Sequence, residues 1–394
     1  MVWPPVADVD SVSAHRAMHG WFFGGIFSEV ILPVRARPKS AKAPSRPAWN
    51  PDALLFSPAA MQHWDRVKVV ECGDSAAFLA NEKVDLYLVT EQMLADGDKL
   101  EAVPLTGTVK VKGAEKGAGH YYFVGAPDVD RQDAFYKTSL LFWLTGGDTK
   151  PLVEASRQRY VAAKARIGKG KTVNIFGTGP SLAETIGKSY AGDCNIICNS
   201  ILKSRAFMSE NRPAIVIGSD AHFHFSCTKY AFRFLSDLLQ YMAYNPDALF
   251  FTFDKFAVFL LHKYPELTDR VLAMPAGRTE FGFDYEKDFR FFPGESVVNN
   301  FMLPLAFSLS DRVQMHGFTG RGPKDKSFWA HAGEFQYTEE MASVSGIHPA
   351  FFADRDFVDY NDTVDRQIGL RLEIAKTKGI AVRSGTTTFY KSLA

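Results

Sequence analysis

Three short polar clusters, each following an apolar run, are the residues best suited to chemistry. The first is Gly177-Thr178-Gly179-Pro180-Ser181, between Val173-Asn174-Ile175-Phe176 and Leu182. Two glycines in a turn let another group approach the backbone closely. Pro180 suits the first turn of a helix, where its missing N–H costs little. Ser181 or Thr178 can cap that helix or bind a ligand oxygen, and a helix N-terminus favours an anion such as a nucleotide phosphate. The string is neither GxGxxG nor GxxxxGK[ST], and a tight structural turn would use the same residues. The second cluster is Cys198-Asn199-Ser200. An Asn amide offers a base or ribose both donor and acceptor; its ordinary alternative is a turn. The third is Gly218-Ser219-Asp220, followed by His222 and His224. Two histidines and an aspartate suggest a metal, but no further ligand cluster accompanies them, so no metal site is expected.

These clusters do chemistry together only if a frame brings them to one edge. Apolar runs at 172–176, 195–198, 214–217, 248–252, 271–273, 313–316 and 380–383 predict strands. Helices are predicted between them, most clearly over 225–244, 297–308 and 363–378. In the last, Arg366, Arg371, Glu373 and Lys376 alternate with Ile368, Leu370, Leu372 and Ile374 at amphipathic spacing. Strand–helix alternation implies an α/β fold with a doubly wound, mostly parallel, Rossmann-like sheet. Such sheets bind ligands beyond the C-terminal strand ends, where the three clusters fall.

The preceding sequence is less regular. A stretch at 37–51, rich in Pro, Ala, Ser and basic residues, reads as an exposed loop. Strand-like runs at 67–70 and 84–90, with a Gly-Asp-Ser turn after Cys72, suggest one βαβ-like unit. Further strands are expected at 108–111 and 121–124. A polar, basic, helical connector is expected within 148–171. The expected division is a smaller α/β accessory domain at 1–165 and a ligand-binding domain at 166–394.

Composition narrows the partners. Basic and acidic residues number 45 and 44, a net charge of +1, so nothing favours nucleic acid. The four cysteines, Cys72, Cys194, Cys198 and Cys227, make no CxxC pair, which argues against zinc and suits a reducing compartment. The N-terminus lacks a basic segment followed by an apolar core, and no apolar run reaches the ~20 residues that span a bilayer. A cytoplasmic protein is expected, with peripheral membrane contact left open.

The order GTGPSL, then Cys198-Asn199, then Ser219-Asp220, resembles the bacterial sialyltransferases of glycosyltransferase family 42 and their GPSL-loop relatives. The resemblance continues through Gly294-Glu295-Ser296-Val297, a long helix, and Val313-Gln314-Met315-His316-Gly317-Phe318, and covers about 171 to the end. It implies a variant GT-A-like fold, a CMP-sugar donor, a glycan acceptor, inverting transfer, and no required metal or other cofactor. It assigns Gly177, Thr178, Gly179, Pro180 and Ser181 to the CMP moiety and Asn199 to the ribose or cytosine. Ser219, with Asp220 beside it, stands near the sugar or phosphate. Ser296 matches a serine that holds the sugar carboxylate, and Gly317 lies in the turn after the next strand. Tyr337 stands for the tyrosines that stabilise the departing phosphate. For the general base on the acceptor hydroxyl there are two candidates, His348 and His331. Chain order favours His348, because Tyr337 precedes it and a helix follows. The chain departs from the family at Thr178, where Asn is usual, and at Thr319, where an acid is usual. A Kdo-like sugar would need the same CMP grip and carboxylate site as sialic acid.

Two other classes of function fit the same loop. A phosphoryl or pyrophosphoryl transferase would need Mg²⁺ and nearby carboxylates, for which Asp220 and Asp254 are candidates. A nucleotide- or sugar-binding module without turnover would need only the binding residues.

Overall fold

The computed structural model describes residues 148–394, except 169, 226–228, 323–329, 342–355 and 394, together with five strands of the preceding sequence. Those strands are β1 (Val2–Trp3), β2 (Val30–Arg35), β3 (Val67–Cys72), β4 (Leu86–Thr90) and β5 (His120–Val124). β2 pairs with β3, and β1, β4 and β5 form a second sheet, all parallel. The expected βαβ unit is therefore corrected: β3 and β4 lie in different sheets, because each finds its partners far along the chain. The loop expected at 37–51 and the strand expected at 108–111 lie outside the described residues.

From Val173 onward the apolar runs form one seven-stranded sheet. Its strands are β6 (Val173–Phe176), β7 (Cys194–Cys198), β8 (Ile215–Ile217), β9 (Leu249–Phe253), β10 (Val271–Met274), β11 (Arg312–His316) and β12 (Ala381–Ser384). The order is β10-β9-β8-β7-β6-β11-β12 and every pairing is parallel. Strand order reverses between β6 and β11, the switch point where doubly wound sheets open a crevice.

The inner strands are buried on both faces, so they read as mostly apolar runs rather than alternations. Phe250 and Phe251 are adjacent in β9, point to opposite faces and are both fully buried. Each such ring contributes roughly 2 kcal/mol of burial. One face is covered by α1 (Lys150–Ile167), by a π turn (Val298–Met302) running into α6 (Leu303–Leu309), and by α8 (Phe357–Thr377). The other carries α2 (Arg205–Asn211), α4 (Lys229–Tyr244) and α5 (Asp254–Lys263). Two short helices are also present among the described residues, α3 (Ala221–Phe225) and α7 (Thr338–Met341).

Helix α1, expected as a connector, packs into the layer on the sheet. It buries Ser156, Tyr160, Ala163 and Ile167, and the Ser156 hydroxyl accepts from the Ala273 N–H of edge strand β10 at 3.0 Å. Helix α8 keeps Ile368 inside and Arg366, Glu373 and Lys376 outside as expected, but departs from the expected faces at Arg371, Leu370 and Ile374. Arg371 is 3 % exposed beside buried Val364, Ile368 and Ala375, whereas Leu370 is 61 % exposed. The buried stripe follows i, i+4, i+7, i+11, which selects Arg371 and leaves Leu370 and Ile374 outside.

The π turn has a local cause. Leu303 donates to Val298, five residues back, and the next residue is Pro304, which has no N–H to give. The Asn299 carbonyl thus loses its helical donor and takes one from the Arg371 side chain instead, at 3.0 Å.

Candidate functional site

The loops after β6, β7, β8 and β11 open on one cavity of about 350 Å³. Gly177, Thr178, Gly179 and Pro180 line it after β6, Asn199 after β7, Ser219 and Asp220 after β8, and Gly317 after β11. Ser296 joins from the loop before the π turn, and His331 from the segment before α7. The fold thus gathers every expected binding residue but Ser181.

Ser181 works inside the wall. Its N–H donates to the Thr319 hydroxyl at 2.9 Å, and its own hydroxyl lies 2.8 Å from Thr319 Oγ1 and 3.2 Å from Thr386 Oγ1. Thr386 also accepts from the Gly317 N–H at 2.9 Å. Three hydroxyls therefore tie together the turns after β6, β11 and β12. Pro180–Thr185 forms a single short 3-10 turn, with no side-chain cap, rather than the expected helix.

The glycines answer to the same contact. Gly177 donates to the His316 carbonyl at 2.8 Å and Gly179 to the Gly317 carbonyl at 2.9 Å. A Cβ on Gly179 would meet the Gly317 oxygen at 2.6 Å. The crowding comes from the neighbouring loop, not from a ligand.

His331 is held by the loop it faces. Its Nδ1 lies 2.9 Å from the Thr178 carbonyl oxygen. A carbonyl only accepts, so Nδ1 carries the hydrogen and the neutral ring keeps its lone pair on Nε2. Burial pulls the His331 pKa below the ordinary histidine value, and the bond to Thr178 partly opposes this. His224 has the opposite arrangement. Its Nδ1 accepts from the Asp220 N–H at 2.9 Å, while Asp220 Oδ1 accepts from the Phe223 N–H at 2.8 Å. This reciprocal pair caps α3. Burial takes His224 down to about 4, against the pull of Asp220, so the ring is neutral near pH 7. Of His222 only the backbone is described. Among the described residues no group of three metal-ligating side chains forms.

Tyr337 is not brought to the cavity. It is fully buried and its hydroxyl donates to Asp237 at 2.6 Å. Asp254 also lies apart, accepting from the Thr149 hydroxyl at 2.8 Å. His348 lies outside the described residues. Tyr390 and Glu295 line the cavity instead, and neither was singled out from sequence for a role there. Tyr390 follows the last strand, so the rule that ligands sit beyond strand ends was enough to flag it.

Two features mark the lining as built for a ligand. Asn199 and Ser296 adopt left-handed backbone, with φ of 52° and 69°. This costs about 1–2 kcal/mol for a non-glycine residue, and such strain gathers at functional sites. The side chains of Thr178, Asn199, Ser219 and Ser296 make no hydrogen bond to the described residues, so their polar groups stand ready for a guest. Asp220 and Glu295 supply carboxylates, but no Lys or Arg among the described residues lines the cavity.

No family model matches the chain, and no curated protein does. Among solved structures it is similar to the monofunctional alpha-2,3-sialyltransferase Cst-I of Campylobacter jejuni, with 15 % identity over 54 % of this chain and 75 % of that one, at a TM-score of 0.33. It is likewise similar to the sialyltransferase CstII of Campylobacter jejuni, solved with the substrate analogue CMP-3FNeuAc, with 14 % identity over 57 % and 88 %, at 0.33. A third similar structure is the MAf glycosyltransferase of Magnetospirillum magneticum AMB-1, with 14 % identity over 69 % and 41 %, at 0.25.

Proposed function

We propose that this chain is an inverting glycosyltransferase that moves an acidic sugar from a CMP-sugar to a glycan hydroxyl within this cavity. The observation that carries the reading is the hydrogen bond from His331 Nδ1 to the Thr178 carbonyl. It couples a tautomer-fixed base to the Gly-rich loop whose sequence resembles a CMP-binding loop. In the proposed step, the acceptor oxygen attacks the anomeric carbon as its proton passes to His331 Nε2. The bond from that carbon to the phosphate oxygen breaks, its electron pair leaving on CMP. Thr178 and Asn199 would contact the nucleotide, and Ser296 the sugar carboxylate. The Tyr390 hydroxyl would donate to the departing phosphate; burial raises its pKa, so it keeps its proton. No metal is required in this proposal.

Thermal shift against CMP, CDP, UDP, GDP, ADP and ATP, each with and without Mg²⁺, tests the binding half, because a ligand of the native state raises its apparent stability. Release of CMP from a CMP-sugar tests the chemical half. The proposal expects stabilisation by CMP without Mg²⁺. Stabilisation by ATP only with Mg²⁺ would replace it with phosphoryl transfer, and no response to any nucleotide would overturn it.

A further inference from the structure

A buried guanidinium without a carboxylate is expensive to keep, because desolvation opposes its charge. Among the described residues Arg371 is such a group. Its Nε donates to the Asn299 carbonyl at 3.0 Å and its Nη1 to the Gln367 carbonyl at 3.1 Å, while its Nη2 has no partner among the described residues. The rings of Phe281 and Phe292 lie 4.9 and 5.8 Å from the guanidinium carbon. Burial lowers its pKa to about 10, which leaves it charged at neutral pH.

What lies in front of this charge is the cavity wall. A Cβ placed on Gly294 would come within 2.7 Å of Nη2, so only the absence of a side chain lets the guanidinium press against that backbone. Gly294, Glu295 and Ser296 all line the cavity. Their loop is fastened to the same helix and π turn. Gln367 Oε1 accepts from the Glu295 N–H at 2.7 Å, and Asn300 Oδ1 accepts from the Gly294 N–H at 2.6 Å.

We infer that Arg371 is a positioning residue whose buried charge, one backbone layer behind Gly294–Ser296, makes that end of the cavity take an anionic group, the carboxylate of an acidic sugar. This rests on the proposed function and adds the group that sets its donor class. The charge acts through the loop. Gly294, Ser296 and the loop backbone bring no positive charge and Glu295 adds a carboxylate, so the wall alone would not prefer a carboxylate to its ester, whereas a guanidinium a few ångströms behind it supplies the opposite charge. The low dielectric around Arg371 strengthens that preference.

The test uses the full chain and two probe pairs. One is N-acetylneuraminate against its methyl ester; the other is CMP against cytidine. Binding is measured by calorimetry for wild type, Arg371→Gln and Arg371→Lys. Gln keeps an N–H donor for Asn299 but removes the charge; Lys keeps the charge. The wild type is expected to prefer the free carboxylate to the ester at least about tenfold. Arg371→Gln should lose that preference while keeping CMP affinity within about threefold, and Arg371→Lys should retain most of it. Should Arg371→Gln fail to fold, Arg371→Met gives the same readout, because it removes the charge and keeps an unbranched side chain of similar length. Equal preference in wild type and Arg371→Gln overturns the inference, as does a wild type indifferent to esterification. If no cytidine ligand binds but the carboxylate preference persists and depends on Arg371, the inference stands and the CMP-sugar reading falls. If CMP binds but the carboxylate preference is absent, the reverse holds.

Discussion

Gly179→Ala separates two accounts of the Gly-rich loop. If the glycine exists to admit a ligand, the ligand-free protein should tolerate a methyl group. The structure says otherwise. Gly179 has φ of −63°, a conformation alanine adopts freely, so any penalty is steric. The new Cβ would lie 2.6 Å from both the Gly317 carbonyl oxygen and Thr319 Oγ1. The first is backbone, and the second is tied to Ser181, so neither can rotate away. Overpacking of this kind costs about 1–3 kcal/mol, and loss of the Gly179 N–H bond to Gly317 adds about 1 kcal/mol. At about 2–4 °C per kcal/mol for a unit of this size, the Tm should fall by roughly 4–16 °C. Gly187→Ala is the control. Its φ of +76° with nothing near the added methyl gives only the left-handed penalty, about 1–2 kcal/mol. Differential scanning fluorimetry without ligand measures both. A Gly179→Ala protein melting within about 2 °C of wild type would refute the steric account, since that is less than 1 kcal/mol.

The base assignment predicts that His331→Gln lowers turnover of a CMP-sugar by about 100-fold or more while leaving CMP affinity unchanged. The active form is unprotonated and its pKa is lowered, so wild-type activity should hold through neutral pH and fall only below the usual histidine range. An acid limb unchanged in His331→Gln would count against it. Stability should also depend on pH through His224 and His316, each taken by burial to about 4. The unfolded rings take up protons first as the pH falls below about 6.5, so stability is full above that value and is lost toward pH 4, by up to about 3 kcal/mol per ring. Urea unfolding at pH 7.5 and 4.5 measures the loss. His316→Gln should shrink the difference, and an unchanged difference would refute the linkage.

The parallel sheet was legible because its strands are buried on both faces. Runs such as Cys194–Cys198 and Leu249–Phe253 are interrupted by only one polar residue each, Asn195 and Thr252, and every strand expected for this seven-stranded sheet begins and ends within one residue of the observed one. The rim was legible for the same reason, since strand ends locate loops and Asn199, Ser219 and Gly317 fall there. Side-chain direction was not. Ser181 sits one residue past the cavity wall and turns toward Thr319, which only the pairing of β6 with β11 reveals. Tyr337 matched an expected chain order, yet its hydroxyl is committed to Asp237 inside the protein. Arg371 was hidden by its type. A helix read by hydropathy places arginine outside, and only the Asn299 carbonyl freed beside Pro304 explains why one belongs inside.

The two described histidines of the cavity limit how it can manage charge. His331 donates from Nδ1 and His224 accepts at Nδ1, so their neutral rings are opposite tautomers. Burial disfavours the imidazolium in both. Neither ring therefore supplies a standing positive charge near pH 7, and the described lining adds two carboxylates without a Lys or Arg. An anionic sugar would meet net repulsion unless a cation stood close behind the wall. Arg371 is suited to that place because a guanidinium stays protonated where a buried imidazole or amine gives up its proton. This division leaves His331 neutral and able to take a proton, while the attraction for the substrate comes from a group that does not titrate in the working range.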